Sequence, residues 1–63
     1  MKLSKEVKLL IEFKKENQYS YERLGREIGV SNMTVYRWCN GRQEPSLMAK
    51  KLIKNYLLKA NLG

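Results

Sequence analysis

Residues 21–40 read YERLGREIGVSNMTVYRWCN. Ser20, just before this stretch, carries a side-chain oxygen able to accept from the unpaired N–H groups that open a helix. Tyr21, Leu24 and Ile28 then recur at helical spacing, and Gly29 supplies a residue that takes the left-handed conformation easily. Val30 is an apolar residue in the turn, Ser31 is a second cap, and Val35 and Trp38 keep the helical spacing until Asn40-Gly41 stops it. Two short helices joined by so tight a turn cross steeply only if the crossing point is small and the facing positions are apolar. Gly25 sits inside the first of them, where glycine costs about 1 kcal/mol relative to alanine. Its presence implies that another helix passes too close for a larger side chain. Leu24, Gly25, Ile28, Gly29, Val30, Val35 and Trp38 thus form the core of the motif. Asn32, Met33, Thr34, Tyr36 and Arg37 are left pointing outward, with groups that hydrogen-bond or stack. A protruding helix from Ser31 to Asn40 with that outer face suits a DNA major groove.

Working outward, Leu3, Val7, Leu10 and Ile11, with the stem of Lys14, make a helical stripe over residues 3–16. Ser4 caps this segment, Asn17-Gln18 ends it, and Tyr19 plugs the core between the first two helices. On the other side, Arg42-Gln43-Glu44-Pro45 reads as a loop. From Ser46 to about Lys59 the residues Ala49, Leu52, Ile53, Tyr56 and Leu57 again fall on one helical face. There is no strand alternation, internal repeat or dividing linker, so residues 1–63 are expected to form one compact all-α domain of four, at most five, helices.

Composition narrows the function. The 43% hydrophobic content is too high for a disordered chain. No apolar run reaches the roughly 18 to 20 residues a membrane span needs, and Met1-Lys2-Leu3-Ser4 lacks the features of a secretion signal, so a cytoplasmic location without membrane contact is expected. The single Cys39 and the absence of histidine leave no disulfide and no zinc set. Neither a metal, a cofactor nor a small-molecule ligand is expected. No nucleophile has an evident base and no glycine loop cradles a nucleotide, so the chain does not read as an enzyme.

Charge points to an anionic partner. Thirteen Lys and Arg against six Asp and Glu leave a net charge of +7 on a small surface. Residues 1–17 carry five basic and three acidic side chains, residues 18–45 four and three, and residues 46–63 four and none. Lys14, Arg42, Lys50, Lys51 and Lys54 are candidates to neutralise phosphates, contacts that position a protein on DNA but do not specify a sequence.

YERLGREIGVSNMTVYRWCNGRQEPS resembles the helix-turn-helix of the phage-repressor family, the Cro-type or lambda-repressor-like domains. The likeness lies in the small residue and glycine four apart, the Gly-Val-Ser turn, inward Val35 and Trp38, and the Asn-Gly, basic residue and Pro-Ser leading onward. The resemblance implies double-stranded DNA binding in transcription regulation, with Asn32, Met33 and Arg37 at base edges and Thr34 and Tyr36 near bases or phosphates, Thr34 counted with the base contacts. It also implies backbone contacts from Asn40 and Arg42; Tyr21, Ser31 and Tyr36 join them as backbone candidates, and Lys14 does so on its charge. Tyr21 stands where the family commonly has a glutamine that braces a phosphate, and Cys39 replaces its usual acidic residue. A homodimer on DNA is expected, with Leu57, Leu58 and Leu62 as candidate contacts. The alternative is an interaction module, such as an antitoxin or phage regulator, that acts mainly through a protein partner.

Overall fold

The computed structural model describes residues 3–62, with side chains described for 3–60. Four helices follow one another: α1 (Lys5–Asn17), α2 (Tyr21–Ile28), α3 (Asn32–Cys39) and α4 (Leu47–Leu62). Neither a strand nor a fifth helix occurs among the described residues. Serine oxygens open all four. Ser4, Ser20, Ser31 and Ser46 accept from the backbone N–H three residues on, at 3.3, 3.1, 3.2 and 3.2 Å. Each satisfies a donor that the helix itself cannot pair, typically worth about 1 kcal/mol.

The ends differ in mechanism. Gln18 closes α1 in the left-handed region (φ 55°, ψ 40°), its N–H directed at the carbonyls of Lys14 and Lys15. Gly29 closes α2 at φ 101°, and the N–H groups of Gly29 and Val30 both donate to the Gly25 carbonyl at 2.8 Å. Gly41, at φ 70°, turns the chain out of α3 so that the Arg42 N–H reaches the Arg37 carbonyl at 2.9 Å.

Val7, Leu10, Leu24, Val35, Trp38 and Ile53 form the buried centre, drawn from all four helices. Trp38 anchors α3 from behind, although its indole N–H is buried without a hydrogen-bond partner among the described residues. Ile28 and Val30 lie half-buried against this core, as do Leu3, which precedes α1, and Ile11. Leu52 departs from the sequence expectation. It is 42% exposed, because the buried face of α4 is centred on Ala49, Ile53, Tyr56 and Leu57, and Leu52 lies outside that arc.

A second layer was only half visible in the sequence. Tyr19 packs edge-on against Phe13, with ring centres 5.4 Å apart, and Phe13 packs edge-on against Tyr56 of α4 at 5.5 Å. The Tyr56 hydroxyl donates to Glu27 at 2.5 Å, Glu27 accepts from Arg23 at 3.0 Å, and the Arg23 guanidinium lies 3.9 Å from the centre of the Tyr19 ring. This circuit ties α2 to α1 and α4.

The Tyr56 and Arg23 hydrogen bonds hold the Glu27 carboxyl below the usual carboxylate range. A depressed folded-state value contributes stability that is present above the ordinary carboxylate pKa and is lost as pH falls through the folded value. Urea melts recorded at neutral pH and again well below the ordinary carboxylate pKa should therefore show a smaller acid-induced loss for Glu27→Gln than for the wild-type chain. An identical loss in both would remove Glu27 from the acid response.

Candidate nucleic-acid interface

The turn between α2 and α3 is built around Gly25. A β-carbon placed there would lie 2.6 Å from the Val30 carbonyl oxygen and 3.1 Å from both the Asn32 nitrogen and the Ser31 carbonyl carbon. The close neighbour expected at Gly25 is therefore the backbone of the turn and the first residue of α3, not the flank of a remote helix. This approach fixes where α3 begins relative to α2.

Held in that way, α3 divides sharply. Val35 and Trp38 are 0% and 2% exposed, whereas Asn32, Met33, Tyr36 and Arg37 all face solvent, Met33 at 51%. Thr34 is half-buried, and its hydroxyl lies 2.8 Å from that of Ser31. It is thus occupied with the start of its own helix. The same Ser31 oxygen accepts the Thr34 N–H, so Ser31 is an exposed capping residue first.

Four residues singled out for backbone contacts come together at the other end of α3. Tyr21, the first residue of α2, packs its ring edge-on against Tyr36 with centres 5.5 Å apart. The Lys14 ammonium lies over the Tyr21 ring, 4.4 Å from its centre. Asn40 donates its side-chain amide to the Tyr36 carbonyl at 2.8 Å and reaches the Tyr21 hydroxyl at 3.5 Å. Tyr21 therefore has the room its ring needs, between an ammonium and a second ring, and carries its hydroxyl to the α3 terminus. Cation–π contacts of this kind contribute about 0.5–1 kcal/mol at exposed sites. Ser31 belongs to the opposite end of α3, and exposed Arg42 lies beyond the Gly41 turn.

The charges fall unequally around this surface. The α2 arginines are neutralised locally, Arg23 by Glu27 and Arg26 by Glu22, both at 3.0 Å. Lys14, Arg37 and Arg42 form no ion pair among the described residues. The cations left unpaired near α3 are thus the ones a polyanion would meet. Cys39, on the other hand, is half-buried beside this surface. Burial pushes its thiol pKa up, and the Lys14 charge opposes the shift without overcoming it. A protonated, weakly nucleophilic thiol is the result.

The helix-turn-helix family model matches residues 10–55, from the middle of α1 into α4. The chain belongs to the helix-turn-helix family. The match is of the Cro/C1 type, as the sequence resemblance implied, and members of this family bind double-stranded DNA and regulate transcription. At that level the chain is a DNA-binding regulatory domain of a non-enzymatic family. Comparison with curated proteins and with solved structures gives no match. No helix among the described residues of this helix-turn-helix protein is long and apolar enough to cross a membrane. No group of histidine, cysteine and acidic residues able to hold a metal ion occurs among them either.

Proposed function

We propose that this helix-turn-helix protein reads duplex DNA by lodging α3 in the major groove, and that it regulates transcription in the manner of a repressor, by occupying its site. The observation that carries this reading is the division of α3: one face closed by Val35 and Trp38, the other exposing Asn32, Met33 and Arg37 with no ionic partner for the arginine among the described residues. Arg37 is suited to a bidentate contact with guanine, Asn32 to adenine, and Met33 to a thymine methyl. Thr34 takes a base contact through the part of its side chain that Ser31 leaves free. Lys14, Tyr21, Tyr36 and Asn40 form a phosphate-facing cluster at one end of the helix, with Ser31 and Arg42 as separate backbone contacts.

In this account residues 1–63 act as one DNA-binding unit in the cytoplasm, without cofactor or small-molecule ligand. Two copies place their recognition helices in successive major grooves, about 34 Å apart on one duplex face. Of the leucines considered for pairing, Leu57 is half-buried, Leu58 is 51% exposed, and the side chain of Leu62 lies outside the described residues. Selection of bound sequences from a random duplex pool tests the reading. The expected winners carry an inverted repeat with half-site centres about 10 base pairs apart. Recovery of the pool without sequence enrichment contradicts it.

A further inference from the structure

Helix α4 has two unlike faces, and the core explains only one of them. Leu47, Met48, Leu52 and Leu58 are exposed at 79%, 74%, 42% and 51%, four of the seven large apolar side chains that the described surface exposes. At about 100° per residue they fall on two adjoining stripes opposite Ile53. Lys51, Lys54, Lys59 and Asn55 occupy the remaining positions of the same stripes and are exposed; the three lysines carry the charge. None of these three forms an ion pair among the described residues, whereas Lys50, at the edge of the buried face, approaches Glu44 at 3.6 Å. The outward face of α4 contains no acidic residue. Beside Leu58 it opens into a groove of about 360 Å³ between α1 and α4, lined by Lys5, Glu6, Leu9, Lys54, Leu57 and Leu58.

We infer that this face is a docking surface for an acidic amphipathic helix on a partner protein. Such a helix lays apolar anchors at successive turns onto Leu47, Met48 and Leu52, and its carboxylates meet the three lysines. Charge selects this occupant over a second copy or a lipid surface, and the exposed Leu47, Met48 and Leu52 beside Lys51 and Lys54 favour it over the phosphate contacts considered for those lysines. A second copy of the α4 stripes would set Lys51, Lys54 and Lys59 against their own counterparts, with Glu6 of the adjoining groove the one carboxylate lining this surface, a juxtaposition that suppresses pairing. A lipid surface requires the apolar and charged residues of an interfacial helix to lie on separate faces. Here Lys51 stands between Leu47 and Leu58 in one stripe, and the helix has its other face committed to Ile53 and the core. The surface is distinct from α3, so docking and DNA binding are separable.

The test is a titration of the isotopically labelled full chain, followed residue by residue by NMR, with a designed peptide helix carrying leucines at helical spacing and glutamates elsewhere. A control peptide keeps the leucines and replaces each glutamate by lysine. Saturable shifts confined to residues 47–59 and the adjoining groove are expected with the acidic peptide only, weakening by about tenfold in the triple variant Lys51→Gln, Lys54→Gln, Lys59→Gln. The double variant Met48→Ser, Leu52→Ser should lose the peptide response yet retain wild-type affinity for a single DNA half-site, which separates this inference from the DNA-binding one. Four outcomes overturn it. They are absence of saturable binding, an equal response to both peptides, shifts centred on α3, and self-association or binding to phosphatidylserine vesicles through Leu47, Met48 and Leu52, which lie apart from the Leu57–Leu58 end considered for pairing on DNA.

Discussion

Gly25→Val is expected to abolish the stable folded state at physiological temperature. The atoms that a β-carbon would meet, at 2.6 and 3.1 Å, belong to the backbone of Val30, Ser31 and Asn32, so no flexible side chain can swing aside. Relief requires α3 to move away from α2, and that motion withdraws Val35 and Trp38 from the core they share with Leu24. Overpacking usually costs about 1–3 kcal/mol when neighbours adjust. An obstacle made of backbone places this substitution at or above the top of that range. A core of this size rarely supplies more than about 3–5 kcal/mol in total. Gly25→Ala meets the same first contact and should melt at an intermediate temperature. Thermal unfolding followed by circular dichroism checks both. Wild-type melting of Gly25→Val would mean that the turn does not pack on α2 as described.

Arg37→Ala should lower discrimination at one base pair while leaving binding to non-specific duplexes nearly intact. A bidentate guanidinium–guanine pair discriminates by about 1–3 kcal/mol, or roughly 5- to 150-fold between the right base and the wrong one. The substitution removes a side chain that is exposed and makes no ion pair among the described residues, so the fold should be unchanged. On the selected duplex, binding falls by that factor. On duplexes altered at the guanine, wild type and variant converge. Arg42→Ala is the contrast. Arg42 is exposed beyond the Gly41 turn; on the proposed reading it contacts phosphate, so its loss should weaken every duplex alike and flatten the dependence of log K on log salt by about one. Equal losses for both variants on every duplex would argue against the division of roles.

The parts of this structure that were legible in the sequence are those fixed by local chemistry. Serine caps, the Gly29 and Gly41 turns, and the spacing of Val35 and Trp38 each act within a few residues of themselves. They located α2 and α3 to within one residue, Ser31 and Asn40 proving to be the caps and not the ends. What escaped depended on partners distant in the chain. Phe13 lies next to Lys14 on α1, and helical periodicity alone does not say which of the two turns toward α4. The Tyr56 ring, which packs on Phe13, decides it. Leu52 was misassigned because α4 is apolar around most of its circumference, so a pattern of leucines cannot reveal which arc is covered. The candidate site shows the same limit. Lys14, Tyr21, Tyr36 and Asn40 were each candidates for backbone contacts in the sequence, but their convergence rests on the packing of α1 and α2 around the end of α3. The engagement of Thr34 with Ser31 required coordinates.

The most direct test of α3 as the reading helix is methylation interference on a selected duplex. Guanine N7 lies in the major groove and adenine N3 in the minor groove, so the two methylated bases report which groove the protein occupies. If the exposed face of α3 enters the major groove, methylation of guanine N7 within each half-site blocks binding by the wild-type chain, and Arg37→Ala loses that sensitivity at one position. Interference confined to adenine N3, with guanine N7 indifferent throughout, would place the protein in the other groove and contradict the account.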